Sequence, residues 1–163
     1  MKKLINAVIV VFLLISYQGY SQCNVQTSSG SNGVTVKYLN SEIVGSGIGC
    51  ELGVSISTNG TSYFFNTNIK YAKKSVKSGG PLVVVLDNNQ SLSLKLYNCQ
   101  ISTVKKSNNV LGVYFLTQTD VEKLRKASIQ KIIFQEVGGK DQGVTLSKNF
   151  DVALRHLKCL ESK

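Results

Sequence analysis

Leu52-Gly53-Val54-Ser55-Ile56-Ser57-Thr58, then Asn59-Gly60, then Thr61-Ser62-Tyr63-Phe64-Phe65-Asn66-Thr67-Asn68-Ile69-Lys70, is the stretch that decides the fold. Leu52, Val54 and Ile56 alternate with Gly53, Ser55 and Ser57. That period of two puts the apolar side chains on one face of a strand. The residues after Asn59-Gly60 are aromatic and β-branched, the types that fill a pleated surface. Asn-Gly tolerates the positive φ angles of a type I′ turn, so the sequence predicts an antiparallel hairpin of 52–58 with 61–70.

The same pattern extends outward. Val34, Val36 and Tyr38 alternate with Thr35 and Lys37, after a polar lead from Gln22 to Asn32. Leu82 to Leu86, the turn Asp87-Asn88-Asn89-Gln90, and Leu92, Leu94 and Leu96 alternating with Ser91, Ser93 and Lys95 read as a second hairpin. Residues 99–104 and 110–116 read as further strands, joined across 105–109. Ala72 to Pro81 is polar, basic and closed by Gly79-Gly80-Pro81, which predicts a loop. Gly45-Ser46-Gly47-Ile48-Gly49-Cys50-Glu51-Leu52-Gly53 is rich in glycine. It lacks the G-x-G-x-x-G spacing, a following helix, and the Lys-Ser/Thr of a P-loop, so it reads as a bulged or kinked connection between strands.

After Leu116 the period changes. Thr119-Asp120-Val121-Glu122 fits a capping box, which predicts a short helix over 120–127. Ile129 to Val137 returns to strand, 138–143 to turn and 144–147 to a last strand. Phe150, Ala153, Leu154, Leu157 and Leu160 recur at helical spacing, so a C-terminal amphipathic helix over 150–161, capped by Asn149, is expected. Strands first, then helix, strand, strand and helix argue for an α+β fold. The expected architecture is a mostly antiparallel sheet of about eight strands in hairpins, sandwich- or half-barrel-like.

Within Val113 to Leu160, Tyr114-Phe115-Leu116-Thr117, Asp120-Val121-Glu122-Lys123-Leu124, Ile132-Ile133-Phe134 and Cys159-Leu160 form a pattern. It resembles small exported β-rich proteins of unknown function of the Bacteroidota type. The resemblance covers the C-terminal third and implies no activity.

Lys2-Lys3, the apolar run Leu4 to Ile15 and the small residues Gly19 and Ser21 have the three parts of a Sec signal peptide. The expectation is cleavage after Ser21, one globular domain over 22–163, and a periplasmic or secreted protein. The apolar run is too short to span a bilayer, and the mature chain holds no transmembrane segment. Gln22 is not the small residue that lipidation of Cys23 requires. In an oxidising compartment Cys23, Cys50, Cys99 and Cys159 are expected to form two disulfides. Three pairings exist; Cys50–Cys99 with Cys23–Cys159 is favoured, because it joins two strand ends and ties the N-terminal lead to the last helix.

The 163 residues carry 19 Lys and Arg against 9 Asp and Glu, a net charge of +10, with a single His and no Trp. Without Lys2 and Lys3 the charge is +8. No GxSxG, HExxH or paired acids stand out, and no cofactor or metal is expected. The one alternative built for catalysis is His156 with Cys159, three apart on a helix, as a hydrolase pair or half of a metal site. Otherwise Cys159 is disulfide-bonded and His156 faces solvent. The basic residues are mostly Lys, which attract as point charges with little bidentate recognition. Lys70, Lys73, Lys74 and Lys77, with Lys105 and Lys106 in a second loop, form the candidate anion-binding set. Their expected partners are lipopolysaccharide, anionic glycans or extracellular DNA, met by a non-catalytic structural or binding domain.

Overall fold

Alternating strands organise the described residues, which in this computed structural model are 23–29, 33–47, 49–71, 78–104, 107–136 and 141–162. The expected signal peptide lies outside them. Eleven strands and two helices are described: β1 (Gln26–Ser29), β2 (Thr35–Tyr38), β3 (Glu42–Gly47), β4 (Cys50–Thr58), β5 (Tyr63–Tyr71), β6 (Ser78–Leu86), β7 (Ser91–Leu94), β8 (Leu96–Val104), β9 (Ser107–Leu116), α1 (Gln118–Leu124), β10 (Ile129–Glu136), β11 (Asp141–Thr145) and α2 (Val152–Glu161). The fold is α+β, and the described strand pairings are antiparallel.

A large half-barrel sheet runs β1-β2-β4-β5-β9-β8, with β3 also on β4; a small sheet runs β11-β10-β6-β7. One of the chain's passages between them is at Lys95, between β7 and β8, where the Lys95 carbonyl accepts from Phe115 N–H at 3.1 Å. Apolar alternation decides what lies between the sheets. Leu52, Val54, Ile56, Phe65, Ile69 and Tyr114 of the large sheet are buried, as are Leu82, Val84, Leu92 and Phe134 of the small one. Each such side chain contributes about 1.5–3 kcal/mol by leaving water.

Both expected hairpins form. β4 pairs β5 from Cys50↔Tyr71 to Thr58↔Tyr63, so the loop is the four residues Asn59 to Ser62, not a two-residue type I′ turn. The Asn59 side chain organises it, accepting from Thr61 N–H and Ser62 N–H at 3.1 and 2.8 Å. Gly60 alone takes a positive φ, +89°. The second hairpin, β6 with β7, closes through Asp87 to Gln90 as expected.

Several elements depart from the sequence reading. Gln26–Ser29, within the polar lead, is an edge strand. Gly45 and Gly47 belong to β3, which shifts register against β4 between Ile43 and Gly45. There the large sheet touches the small one: a Cβ on Gly45 would stand 2.9 Å from the Thr145 carbonyl. Ser78 to Pro81 are the start of β6, not loop; Pro81 is exposed, and the β6–β10 register slips nearby. The α1 cap is Thr117, two residues before the expected Thr119. Its Oγ1 accepts from Asp120 N–H, and Asp120 accepts from Thr117 N–H. That phase buries Val121 and Leu124. Asn149 does not cap α2 by its side chain; its amide donates to the Ile43 carbonyl at 2.9 Å. Phe150 precedes α2 and is 46% exposed, and the buried stripe is Val152, Ala153, His156, Leu157 and Leu160. Among the described residues no helix is long and apolar enough to cross a membrane.

Candidate functional site

The polar centre of the molecule is His156, and the edge of β4 explains it. β3 pairs β4 only as far as Val54, and β2 takes up the pairing with β4 only at Ser57. Ile56 falls between them, and its N–H donates to His156 Nδ1 at 3.2 Å instead of to a strand. Because Nδ1 accepts, the proton of the neutral imidazole sits on Nε2, which donates to Glu42 Oε1 at 3.0 Å. Glu42 also receives both arms of Arg155, at 2.9 and 2.8 Å, and Arg155 Nε donates to Asp151 at 3.0 Å. The Arg155 guanidinium holds the Glu42 carboxyl below its usual range. Burial pushes the His156 pKa down, and Glu42 opposes that only in part.

His156 is therefore 2% exposed, a correction to the solvent-facing position expected for it. Its stripe was legible once Val152 replaces Phe150 at the helix start; its partner Glu42 is far away in sequence and left no local signal. The Glu42–His156 couple has the form of an acid–imidazole pair, but a main-chain amide occupies the nitrogen that would serve a nucleophile. Cys159 is bonded to Cys23 with a Cα separation of 5.3 Å, within the usual disulfide range. The expected Cys159–His156 couple thus has no free sulfur. Cys23, held in that bond, also has no sulfur to give a lipid thioether.

The Cys50–Cys99 pairing is overturned: both are free thiols. Cys50 lies on β4 and Cys99 on β8, three strands apart in the large sheet, or roughly 14 Å at the usual spacing. Cys50 is buried beside Tyr71, which donates to Glu136 at 3.3 Å, and burial pushes the Cys50 thiol up. Such a thiol is a poor nucleophile. Among the described residues no group of three or more His, Cys, Asp or Glu is placed to hold a metal ion.

Of the candidate lysines, Lys70 is described. It is exposed on β5, not in a loop, and the register sets Glu51 opposite it. Lys73, Lys74, Lys77, Lys105 and Lys106 lie outside the described residues. Among the described residues the ion pairs use Arg125 with Glu161 and Arg155 with Glu42 and Asp151; none uses a lysine.

The outer face of the large sheet, which sequence reasoning did not single out, carries the other accessible chemistry. It holds a hollow of about 330 Å³ bordered by the polar Ser28, Tyr38, Ser55, Ser57 and Asn66 and by the apolar Val36, Leu39 and Leu111. Beside it Phe64 meets Phe115 at 6.1 Å and Tyr97 at 5.4 Å between ring centroids. No family model matches this chain, and no curated protein or solved structure matches it.

Proposed function

We propose that the chain is an exported, non-catalytic binding domain that meets anionic polymers of the cell envelope or exterior. The observation that carries this reading is the division of labour among its charges. The two arginines are spent on Glu42, Asp151 and Glu161 of the same chain, while the lysines of the described residues stay out of ion pairs. The mature chain holds 15 Lys and 2 Arg against 9 acids. A lysine surface of that kind attracts phosphate, sulfate and carboxylate polymers diffusely and with little selectivity. The Cys23–Cys159 bond fits the oxidising compartment that the signal peptide implies.

The test is capture of envelope material by the mature protein at low and then raised salt. Anionic polymer (lipopolysaccharide, acidic glycan or DNA) should be retained at low salt and released as salt rises. Failure to capture any anionic polymer at low salt would overturn the reading.

A further inference from the structure

We propose that the outer face of the large sheet, at its hollow, is a binding site for a neutral polysaccharide. The proposal rests on the reading of the chain as an exported binding domain, but not on its charge. The hollow is bordered from β1 through β9, and none of its bordering residues is charged. The side-chain hydroxyls of Ser28, Tyr38 and Ser55 make no hydrogen bond to other described residues, whereas Asn66 donates to Ser57 Oγ at 3.0 Å. A charged ligand would find no counter-charge there, and a wholly apolar one would leave the Ser28, Tyr38 and Ser55 hydroxyls unpaired, whereas a sugar can set its C–H faces against Val36, Leu39 and Leu111 and its hydroxyls against those groups. A chain of uncharged hydroxyls gives and accepts hydrogen bonds with this lining.

The aromatic residues extend the same face. Along β5 the side chains of Phe64 and Asn66 share a side, as do Leu111, Val113 and Phe115 along β9. The register pairs Phe64 with Phe115 directly across the two strands. Tyr97 stands at a slip in the β8–β9 register, between Leu96 and Asn98, and its ring reaches Phe64. Tyr97 is 70% exposed and Phe115 41%, so these rings cover surface that water could reach instead of filling the core. Exposed ring faces beside amide and hydroxyl groups suit sugars, whose rings present C–H bonds on their faces and hydroxyls at their edges. The hollow is at the small end of ligand-pocket volumes, which fits one ring of a longer chain with the rest lying over the aromatic cluster.

The test is affinity electrophoresis of the folded mature protein through gels containing a β-glucan, a mannan, a xylan or dextran, with heparin as the charged comparison. At least one neutral polysaccharide should retard the wild type. That binding should survive about 0.5 M NaCl in a pull-down, where the Debye length is about 4 Å. Tyr97→Ala and Phe115→Ala, both at exposed positions, should each weaken it at least tenfold while leaving heparin retention unchanged. No retardation by any neutral polysaccharide, or retardation untouched by both substitutions, would overturn the proposal. A wild type that heparin does not retain while a neutral polysaccharide does would sink the charge-based reading alone, so the two failures are distinguishable.

Discussion

His156 does the work of a strand. Its Nδ1 supplies the acceptor that Ile56 N–H would otherwise find on β2 or β3, and its Nε2 anchors Glu42 at the start of β3. Replacing it with leucine keeps the bulk and removes the acceptor. His156→Leu should cost about 1–3 kcal/mol, the usual penalty for a buried N–H left unpaired. In thermal unfolding that is roughly 2–4 °C per kcal/mol at this size. The same residue sets an acid limit. Burial lowers its pKa in the fold below the ordinary 6.5, so below that pH the unfolded chain binds the extra proton first. The His156 contribution should be full above about pH 6.5 and be lost as pH drops toward the folded pKa. Glu42, also lowered, should add a second loss below its ordinary 4.5. Denaturant midpoints measured across this range check both, and His156→Leu should flatten the first step. A first step that persists in that variant would reassign it. The cysteines give a separate check. Two thiols should titrate per chain after unfolding, and only the half-buried Cys99 should react quickly in the native protein. Zero or four would refute the single Cys23–Cys159 bond.

At the scale of elements, contact between the sheets depends on β3 having no side chain where β11 passes. Gly45→Ala would push a methyl group against the Thr145 carbonyl and Val144, backbone and branched side chain that give little. The expected loss is roughly 1–3 kcal/mol, read as a lower denaturant midpoint. Hydrogen exchange should rise first in β3 and β11; unchanged stability would mean the sheets separate more easily than this packing implies. The hairpins were legible in the sequence because alternation and turn residues act over a few positions. Leu52 to Ile69 and Leu82 to Leu94 needed no tertiary information. Gln26–Ser29 carried no such signal, since an edge strand with polar residues on both faces reads as a tail. Gly45-Ser46-Gly47, the end of β3, read as part of a connection because its glycines answer to a sheet contact more than 90 residues away in sequence. The Cys50–Cys99 expectation failed for a related reason: both are strand residues, but strand order, invisible in sequence, sets them three strands apart. The aromatic face was missed because Phe64, Phe115 and Tyr97 become neighbours only through the β5–β9–β8 order.

At the scale of the whole molecule, the Cys23–Cys159 bond ties the residues before β1 to the helix that supports β4, closing a separation of 136 residues. Cys159→Ser should lower stability by about 2–4 kcal/mol, chiefly by freeing the unfolded chain. Reduction of the wild type should reproduce that loss, and a variant as stable as the oxidised wild type would refute it. The charge distribution belongs to this scale too. The two arginines pair with Glu42, Asp151 and Glu161, and the lysines of the described residues make no ion pair; at about 0.15 M salt the field of an exposed charge extends roughly 8 Å. The central claim, that the lysine excess is what meets the partner, is tested most directly by elution of the mature protein from immobilised heparin. The variant carrying Lys70→Gln, Lys73→Gln, Lys74→Gln and Lys77→Gln should elute at clearly lower salt than the wild type, with unchanged thermal stability. Elution of both at the same salt would contradict it.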